Sequence, residues 1–448
     1  MRTFNVRTFG CQMNKHDAER VVGLLQASGL EQVARPDDAD VVVFMTCCVR
    51  ENAEERLVGI VNSLRQTREN LPRRLIAVGG CMGQRDGERL LDRMPHLDVV
   101  FGTHNLSHLP ALLETASHQQ RPTVEVLESS GEFASELPGL REHAWHAWVP
   151  IAVGCDNFCT YCIVPFVRGP ERSRAFEDIV NECEQLAADG VFEVTLLGQN
   201  VNSYGRDLYG DPRFAEVLVA VASTGLRRVR FATSHPKDLS DETIHAMAST
   251  PQVAKALHLP VQSGSDRVLA AMNRVYTRAS YLALVDRLYE AMPGLALSTD
   301  IIVGFPGESA EDFERTLEVV ERARFDQAFT FIYSPRAGTP AASLGNLPPR
   351  ELVQQRFDRL VASVQRSALA KNRALLGTVQ EVLIEGPSKR DECVLTGRSD
   401  GNKVVHAPTP AGTRPRAYAG RFADVRIEEA QTWFLSGALT PSVEGNDI

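Results

Sequence analysis

The sequence predicts an α/β chain in three parts: an N-terminal open parallel α/β domain, a central partial (βα)6 barrel and a small C-terminal antiparallel β barrel. Three observations carry this. Residues 1 to about 115 repeat a strand followed by a stretch of helical period, which implies a parallel sheet. From Trp148 six further strand-like runs alternate with helical stretches. Beyond residue 376 the pattern changes to short strands separated by Gly, Pro and Asn turns. A length of 448 residues accommodates about three such units.

In chain order, NVRTFGC, DVVVFMTC and RLIAVGGC read as the first strands, each closed by a cysteine. The spacings of 36 and 34 residues between Cys11, Cys47 and Cys81 are those of successive βαβ units, so three thiols are expected on one edge of the sheet. Ligands of open α/β sheets sit beyond the carboxyl ends of the strands, and adjacent strands lie about 4.8 Å apart. The N-terminal domain is taken as 1–116 and a Ser-, Glu-, Gly- and Pro-rich linker as 117–143. The central unit, 144–375, holds VPIAVGC, FEVTLLGQN, VRFATS, ALHLPVQSG, LSTDIIVGFPG and AFTFIYSP. Six units are too few to close an eight-stranded barrel, and the chemistry is expected at the strand C-terminal ends. A helix with six basic and two acidic side chains follows, from Arg350 to Arg373. The last barrel spans 376–440 and precedes a tail, 441–448; with eight basic and eight acidic residues between 377 and 440 it is not basic overall.

Composition limits the function. A hydrophobic fraction of 43% and a charged fraction of 23% are those of a folded globular chain. Apolar runs such as DVVVFM are strand-length, far short of the ~20 residues of a membrane-spanning helix. The N-terminus lacks the apolar core of a secretory signal, so the expectation is a cytoplasmic protein without a membrane partner. Nine cysteines at irregular wide spacing indicate metal or redox use rather than disulfide staples. A net charge of −9 means that any polyanion must meet a local basic surface.

The strongest local signal is GCDNFCTYCIVPFVRG, in which Cys155, Cys159 and Cys162 have C-x3-C-x2-C spacing after a strand. Three soft thiolates suit an iron-sulfur cubane and leave one iron open for a ligand. Zinc is the alternative; neither His nor Cys follows within twenty residues of Cys162, but His143 and His146 lie upstream. Arg168, Glu171, Arg172 and Arg174 crowd the next turn, which reads either as a solvated charged turn or as a surface for a carboxylate or a polyanion. Gln199 and Asn200 end the second central strand, Gln262, Ser263 and Gly264 the fourth, and Gly304 to Glu308 form the turn after the fifth. These are either loop caps and βα turns or cofactor contacts. The Arg350 helix and the Arg227, Arg228, Arg230 group are either solvated faces or phosphate contacts. Cys183 and Cys393 read as ordinary thiols.

The motif resembles the radical S-adenosylmethionine superfamily. TFGCQMN, MTCCVRENAEER, VGGCMGQR, CTYCIVPFVRGPERSR, LLGQNVNSYG, HLPVQSGSD, TDIIVGFPGE and YSPRAGTPAA together resemble its methylthiotransferase family, and GPSKRDECVLTGRSDGNKVV resembles the TRAM barrel of the tRNA-modifying branch. The resemblance implies two [4Fe–4S] clusters, one on Cys155, Cys159 and Cys162 and an auxiliary one on Cys11, Cys47 and Cys81. It implies radical cleavage of S-adenosylmethionine, hydrogen abstraction from C2 of N(6)-(dimethylallyl)adenosine next to the tRNA anticodon, and sulfur insertion from the auxiliary cluster, with two S-adenosylmethionine molecules per turnover. The electron donor is left unidentified and a monomer is expected. Gln199, Asn200, Gln262, Ser263 and Gly304 are the candidate S-adenosylmethionine contacts, and Arg168, Arg172 and Arg174 the candidate RNA or substrate contacts. Alternative substrates within the family are threonylcarbamoyladenosine in tRNA and an aspartate of a ribosomal protein.

Two departures from the family pattern stand out. Met45 replaces an Asn and Cys48 adds a thiol beside Cys47, which is taken as the ligand because adjacent strand side chains face opposite ways, with a swap between the two left open. Phe166 replaces a Tyr and so lacks its hydroxyl.

Overall fold

The computed structural model describes residues 1–48, 51–68, 74–119, 121–129 and 133–440. The expected tail, 441–448, and parts of the expected linker and of the MTCCVRENAEER motif lie outside the described residues.

The first strand-helix repeats build a six-stranded parallel sheet in the order Glu31–Gln32, Thr3–Thr8, Val41–Thr46, Leu75–Gly80, Val99–Phe101, Thr123–Glu125. The sheet therefore runs past residue 116, since Thr123–Glu125, inside the expected linker, adds an edge strand. Val41–Thr46 is buried throughout because both faces are covered. Val41, Val43 and Met45 meet Leu25 and Leu109 on one side, while Val42 and Phe44 meet Leu57 and Val61 on the other. Each such side chain contributes about 1.5–3 kcal/mol by leaving water, which explains an unbroken apolar run where a one-sided strand would alternate.

The six central strands are parallel. His146–Pro150, Glu193–Leu197 and Arg228–Phe231 form one half, and Ala256–His258, Ala296–Val303 and Gln327–Ile332 the other. A bridge between Val229 and Val253 joins the halves into the expected open barrel. Helices such as Phe176–Ala188 and Ala310–Ala323 pack their apolar stripes on its outside. The long helix Arg350–Arg373 lies against the last strand and against Ala310–Ala323.

The last unit is a closed five-stranded barrel with four antiparallel pairings and one parallel pairing, between Val404–Pro408 and Phe434–Leu439. It docks beneath the central barrel. Arg228 Nη2 donates to Glu381 Oε1 at 2.9 Å, Arg227 Nη2 to Glu381 Oε2 at 2.7 Å, and Arg230 to the Ser399 and Asp400 carbonyls at 2.8 and 2.9 Å. Lys255 N donates to Asp400 Oδ2 at 2.8 Å, and Lys403 Nζ reaches Asp326 Oδ1 at 2.6 Å. Arg228, Lys255 and Asp326 all stand at the N-terminal ends of their strands. The Arg227, Arg228, Arg230 group is thus a domain-docking surface, which corrects its reading as a solvated or phosphate-binding face. In the basic helix, Arg356, Arg359 and Lys371 are likewise taken up by Glu308, Glu314 and Asp326.

Candidate active site

Two sets of thiols form at strand C-terminal ends, and a single short helix separates them. The first lies on the loop after His146–Pro150. Gly154 has φ +82°, and a Cβ there would stand 1.9 Å from the Pro170 carbonyl oxygen, so the loop can turn this tightly only with glycine. Cys155 N donates to Gly169 O at 3.1 Å and Cys162 N to Cys159 O at 2.9 Å, closing the loop around its three thiols. The segment Ala271–Arg274 braces it: Thr160 N and Oγ1 donate to Met272 O and Ala271 O at 3.1 and 2.8 Å, and Asn273 Nδ2 donates to the Phe158 carbonyl at 3.1 Å.

Two side chains address the sulfurs. Asn157 Nδ2 donates to Cys155 Sγ at 3.4 Å and the buried Arg274 donates to Cys159 Sγ at 3.5 Å. Burial pushes the Cys162 thiol up to about 12 and the Cys155 thiol upward as well. A buried thiolate there needs a compensating positive charge, which iron supplies on binding. His143 stacks on Trp145 with ring centroids 4.8 Å apart, and His146 Nε2 bonds Thr195 Oγ1 at 3.1 Å from the opposite end of the strand. Neither completes a zinc site. Among the described residues no three His, Cys, Asp or Glu side chains gather as they would around a single ion. Each thiol of a cubane binds a different iron, so a triad spread around a loop fits a cluster better than an ion.

The second set lies at the N-terminal sheet edge. Cys11 caps the helix Gln12–Ala27, Cys47 follows Val41–Thr46, and Cys81 opens Cys81–Asp86 directly after Leu75–Gly80. Gly10, with φ +130°, lets the Cys11 loop approach: a Cβ there would lie 2.2 Å from Cys47 Cβ. Cys47 hydrogen-bonds Cys11, whose thiol is drawn down to about 6 by that bond and, less strongly, by Arg168. Cys48 hydrogen-bonds Cys81, drawing its thiol down to about 7, while this donation and burial push Cys48 well up. The edge therefore carries two thiol pairs, Cys11 with Cys47 and Cys48 with Cys81, rather than three single thiols. The alternation argument for Cys47 alone does not apply, because Cys47 and Cys48 lie past the last strand residue, Thr46, where the backbone no longer alternates.

The helix Val164–Arg168 leaves the first thiol loop and forms the wall of the second site, where Ile163 and Val167 pack on Cys48 and Cys81.

Comparison with known proteins agrees with this architecture. Residues 3–102 match the uncharacterized protein family UPF0004, 149–320 the radical SAM superfamily and 373–440 the TRAM domain. Over 444 residues the chain is 47% identical to the tRNA-2-methylthio-N(6)-dimethylallyladenosine synthase of Corynebacterium urealyticum, covering 97% of this chain and 82% of that protein. It is 51% identical over 410 residues to the protein of the same name from Salinispora arenicola, covering 90% and 82%. The chain belongs to the tRNA-2-methylthio-N(6)-dimethylallyladenosine synthase family. Its fold is also similar to that of the radical S-adenosylmethionine methyltransferase TsrM of Kitasatospora setae, with a TM-score of 0.54 at 13% identity over 76% of this chain and 77% of that one. Membership of the radical SAM superfamily brings a [4Fe–4S] cluster and S-adenosylmethionine.

The synthase-family chain distributes its sequence-predicted contacts unevenly. Gln199 Oε1 and Asn200 Oδ1 are buried without a hydrogen-bond partner, and Asn200 Nδ2 donates to Asp238 at 2.7 Å. Gln262 holds φ +66°, with its backbone bonded to Asp300 O and Ile302 N. Ser263 is enclosed in its turn, where its Oγ accepts from Ser265 N at 3.2 Å. Gly304 N donates to Glu308 Oε2 at 2.9 Å, and Glu308 is paired with buried Arg356 at 2.7 Å. The Ser263 hydroxyl and the Gly304 N–H are thus engaged within their own turns.

Arg168 and Arg174, expected as RNA or substrate contacts, are each paired with a carboxylate of the protein itself. Arg168 is buried against Asp17 at 2.7 Å, and Arg174 against Glu182 at 2.6 Å and the Pro150 carbonyl at 2.9 Å. Arg172 is half-buried, its guanidinium 4.3 Å from the Phe133 ring. Sequence reasoning missed Arg274 together with Asn202, Ser234 and Tyr333, whose Nδ2, Oγ and hydroxyl are buried and unpartnered. All but Arg274 follow strand ends, and Asn202 and Tyr333 also lie within the LLGQNVNSYG and YSPRAGTPAA motifs, which were the sequence signals available.

Proposed function

We propose that this chain converts N(6)-(dimethylallyl)adenosine next to the tRNA anticodon to its 2-methylthio derivative, with two [4Fe–4S] clusters and two S-adenosylmethionine molecules per turnover. One observation carries the two-cluster reading: the thiols of Cys155, Cys159 and Cys162 and those of Cys11, Cys47 and Cys81 stand on either side of one five-residue helix, Val164–Arg168. When bound, the first cluster and S-adenosylmethionine supply a radical able to break an unactivated C–H bond, and the auxiliary cluster supplies sulfur.

The chain's own residues bind, orient and shield. Cys155, Cys159 and Cys162 hold the first cluster, and Arg274 offsets the negative charge that three thiolates bring indoors. Gln199, Asn200, Asn202, Ser234 and Tyr333 offer buried polar atoms, each costing about 1–3 kcal/mol if left unsatisfied, and a cofactor rich in amino, carboxylate and hydroxyl groups relieves that cost. Tyr161, Phe305 and Ala341 pack into an apolar backing that keeps water away. Cys11, Cys47 and Cys81 hold the auxiliary cluster, and Arg172 remains the RNA-facing candidate. The reading includes a cytoplasmic monomer supplied by an external electron donor; no described helix is long and apolar enough to cross a membrane.

The test is chemical. Anaerobically reconstituted protein should hold about eight iron per chain, falling by about half when Cys155, Cys159 and Cys162 are replaced by Ala. With dithionite and S-adenosylmethionine, dimethylallylated tRNA should gain a methylthio mass increment that unmodified tRNA does not. Modification of threonylcarbamoylated tRNA or a ribosomal protein in its place would overturn the substrate.

A further inference from the structure

Arg168 is a buried cation for which the reaction above has no task. Its Nη2 donates to Asp17 Oδ2 at 2.7 Å and to Asn14 Oδ1 at 3.2 Å, both on the helix that Cys11 caps. Asn14 Oδ1 also accepts from Cys11 Sγ at 3.7 Å, and Val167, the residue before Arg168, packs on Cys81. The guanidinium therefore reaches the Cys11 ligand through Asn14, from a helix that begins beside Cys162 and walls Cys81. Asp17 opposes it, but the two charges are not equivalently placed: Arg168 shares Asn14 Oδ1 with the Cys11 thiol, whereas Asp17 turns its other oxygen to His16 Nδ1 at 3.4 Å. Both side chains are almost wholly enclosed, 7% and 2% exposed, beside a small cavity of about 40 Å³ that His104 and Arg172 also line.

We propose that Arg168 is a positioning residue that sets the reduction potential of the auxiliary cluster, with Asp17 as the counter-charge that limits its effect. This rests on the two-cluster reading. Reduction adds negative charge to a cluster, and a fixed cation in a low-dielectric setting favours the more negative state, so hydrogen bonds and charge at the sulfurs tune the potential. Because Arg168 follows the first thiol loop by a single helix, the same segment positions one cluster and biases the other.

The experiment uses the full-length chain with Cys155, Cys159 and Cys162 replaced by Ala, reconstituted anaerobically so that only the auxiliary cluster remains, and follows reduction by electron paramagnetic resonance in a mediated redox titration. Arg168→Gln should lower the reduction equilibrium at least tenfold, about 59 mV for one electron, with iron content unchanged. Asp17→Asn should move the midpoint the other way, and Arg168→Lys should recover most of the loss. Shifts of the same sign from Arg168→Gln and Asp17→Asn, or none, would show that both residues only pack. If Arg168→Gln fails to retain iron, the comparison passes to Arg168→Lys and Asp17→Asn, and a midpoint that Asp17→Asn leaves unmoved or lowers overturns the proposal. Absence of iron from the parent triple variant would defeat the two-cluster reading instead.

Discussion

Replacing Arg228 by Gln tests whether the arginines at the base of the central barrel dock a domain or bind RNA. Arg228 is only 3% exposed and lies 2.9 Å from Glu381, 3.5 Å from Glu193 and 3.7 Å from Asp400, with its guanidinium 4.7 Å from the Phe422 ring centre. Breaking a fully buried pair costs about 3–5 kcal/mol. Glu381 and Asp400 are, however, 42% and 41% exposed and can rehydrate, so those pairs count for about 0–1 kcal/mol each. Glu193 is the buried partner, but it keeps Arg230 at 2.9 Å. The net cost is therefore about 2–3 kcal/mol, or roughly 30- to 150-fold in the population with the barrel released. Trp145 reports this state, because Gly420 of the barrel packs so closely on its ring that a Cβ there would come within 2.4 Å. Urea titration followed by tryptophan fluorescence should show an early transition in Arg228→Gln, and limited proteolysis should cut near residues 374–378. The logarithmic salt dependence of tRNA affinity should keep its slope. A slope reduced by about 0.9 with unchanged stability would mean that Arg228 neutralises a phosphate, and the docking assignment would be wrong.

Other outcomes follow from single side chains. Cys47→Ala should lose about half the iron of the reconstituted protein while Cys48→Ala keeps it, with metal analysis deciding between two thiols that both reach the site. In the metal-free chain Cys11 should alkylate with a midpoint near pH 6, because its thiolate is the form present above its lowered pKa of about 6, whereas Cys162, pushed up to about 12, should stay unmodified at neutral pH; peptide mass mapping against pH would show it. Glu308→Gln leaves the buried Arg356 guanidinium without its carboxylate, so about 3–5 kcal/mol of stability should disappear in a denaturant titration.

Much of the architecture was legible because it rests on period and spacing. Strand runs such as DVVVFM, the six βα repeats and the switch to short strands after residue 376 follow from burial on one face or two, and each element formed where its pattern lies. Three short strands of the N-terminal sheet were missed: Glu31–Gln32 and Thr123–Glu125 pair with a neighbour on one side only, and three residues, as in Val99–Phe101, are too few to show a period.

By itself, the sequence determined which residues are thiols, that Cys155, Cys159 and Cys162 share one loop, and that Cys11, Cys47 and Cys81 each follow a strand of one sheet. Those facts are local or periodic, and they survive any arrangement of the domains. Only the tertiary structure decided which charges are free. Arg168, Arg174, Arg228 and Arg356 look alike in sequence as basic residues in polar stretches, yet each is buried against a carboxylate, and all but Arg174 find it on a segment more than forty residues away. A guanidinium's role is set by the partner that compensates its lost hydration, and such partners are named by the fold rather than by neighbours in the chain. The same holds at Cys48, whose thiol joins the second site because the strand ends one residue before Cys47 and the backbone turns both sulfurs inward.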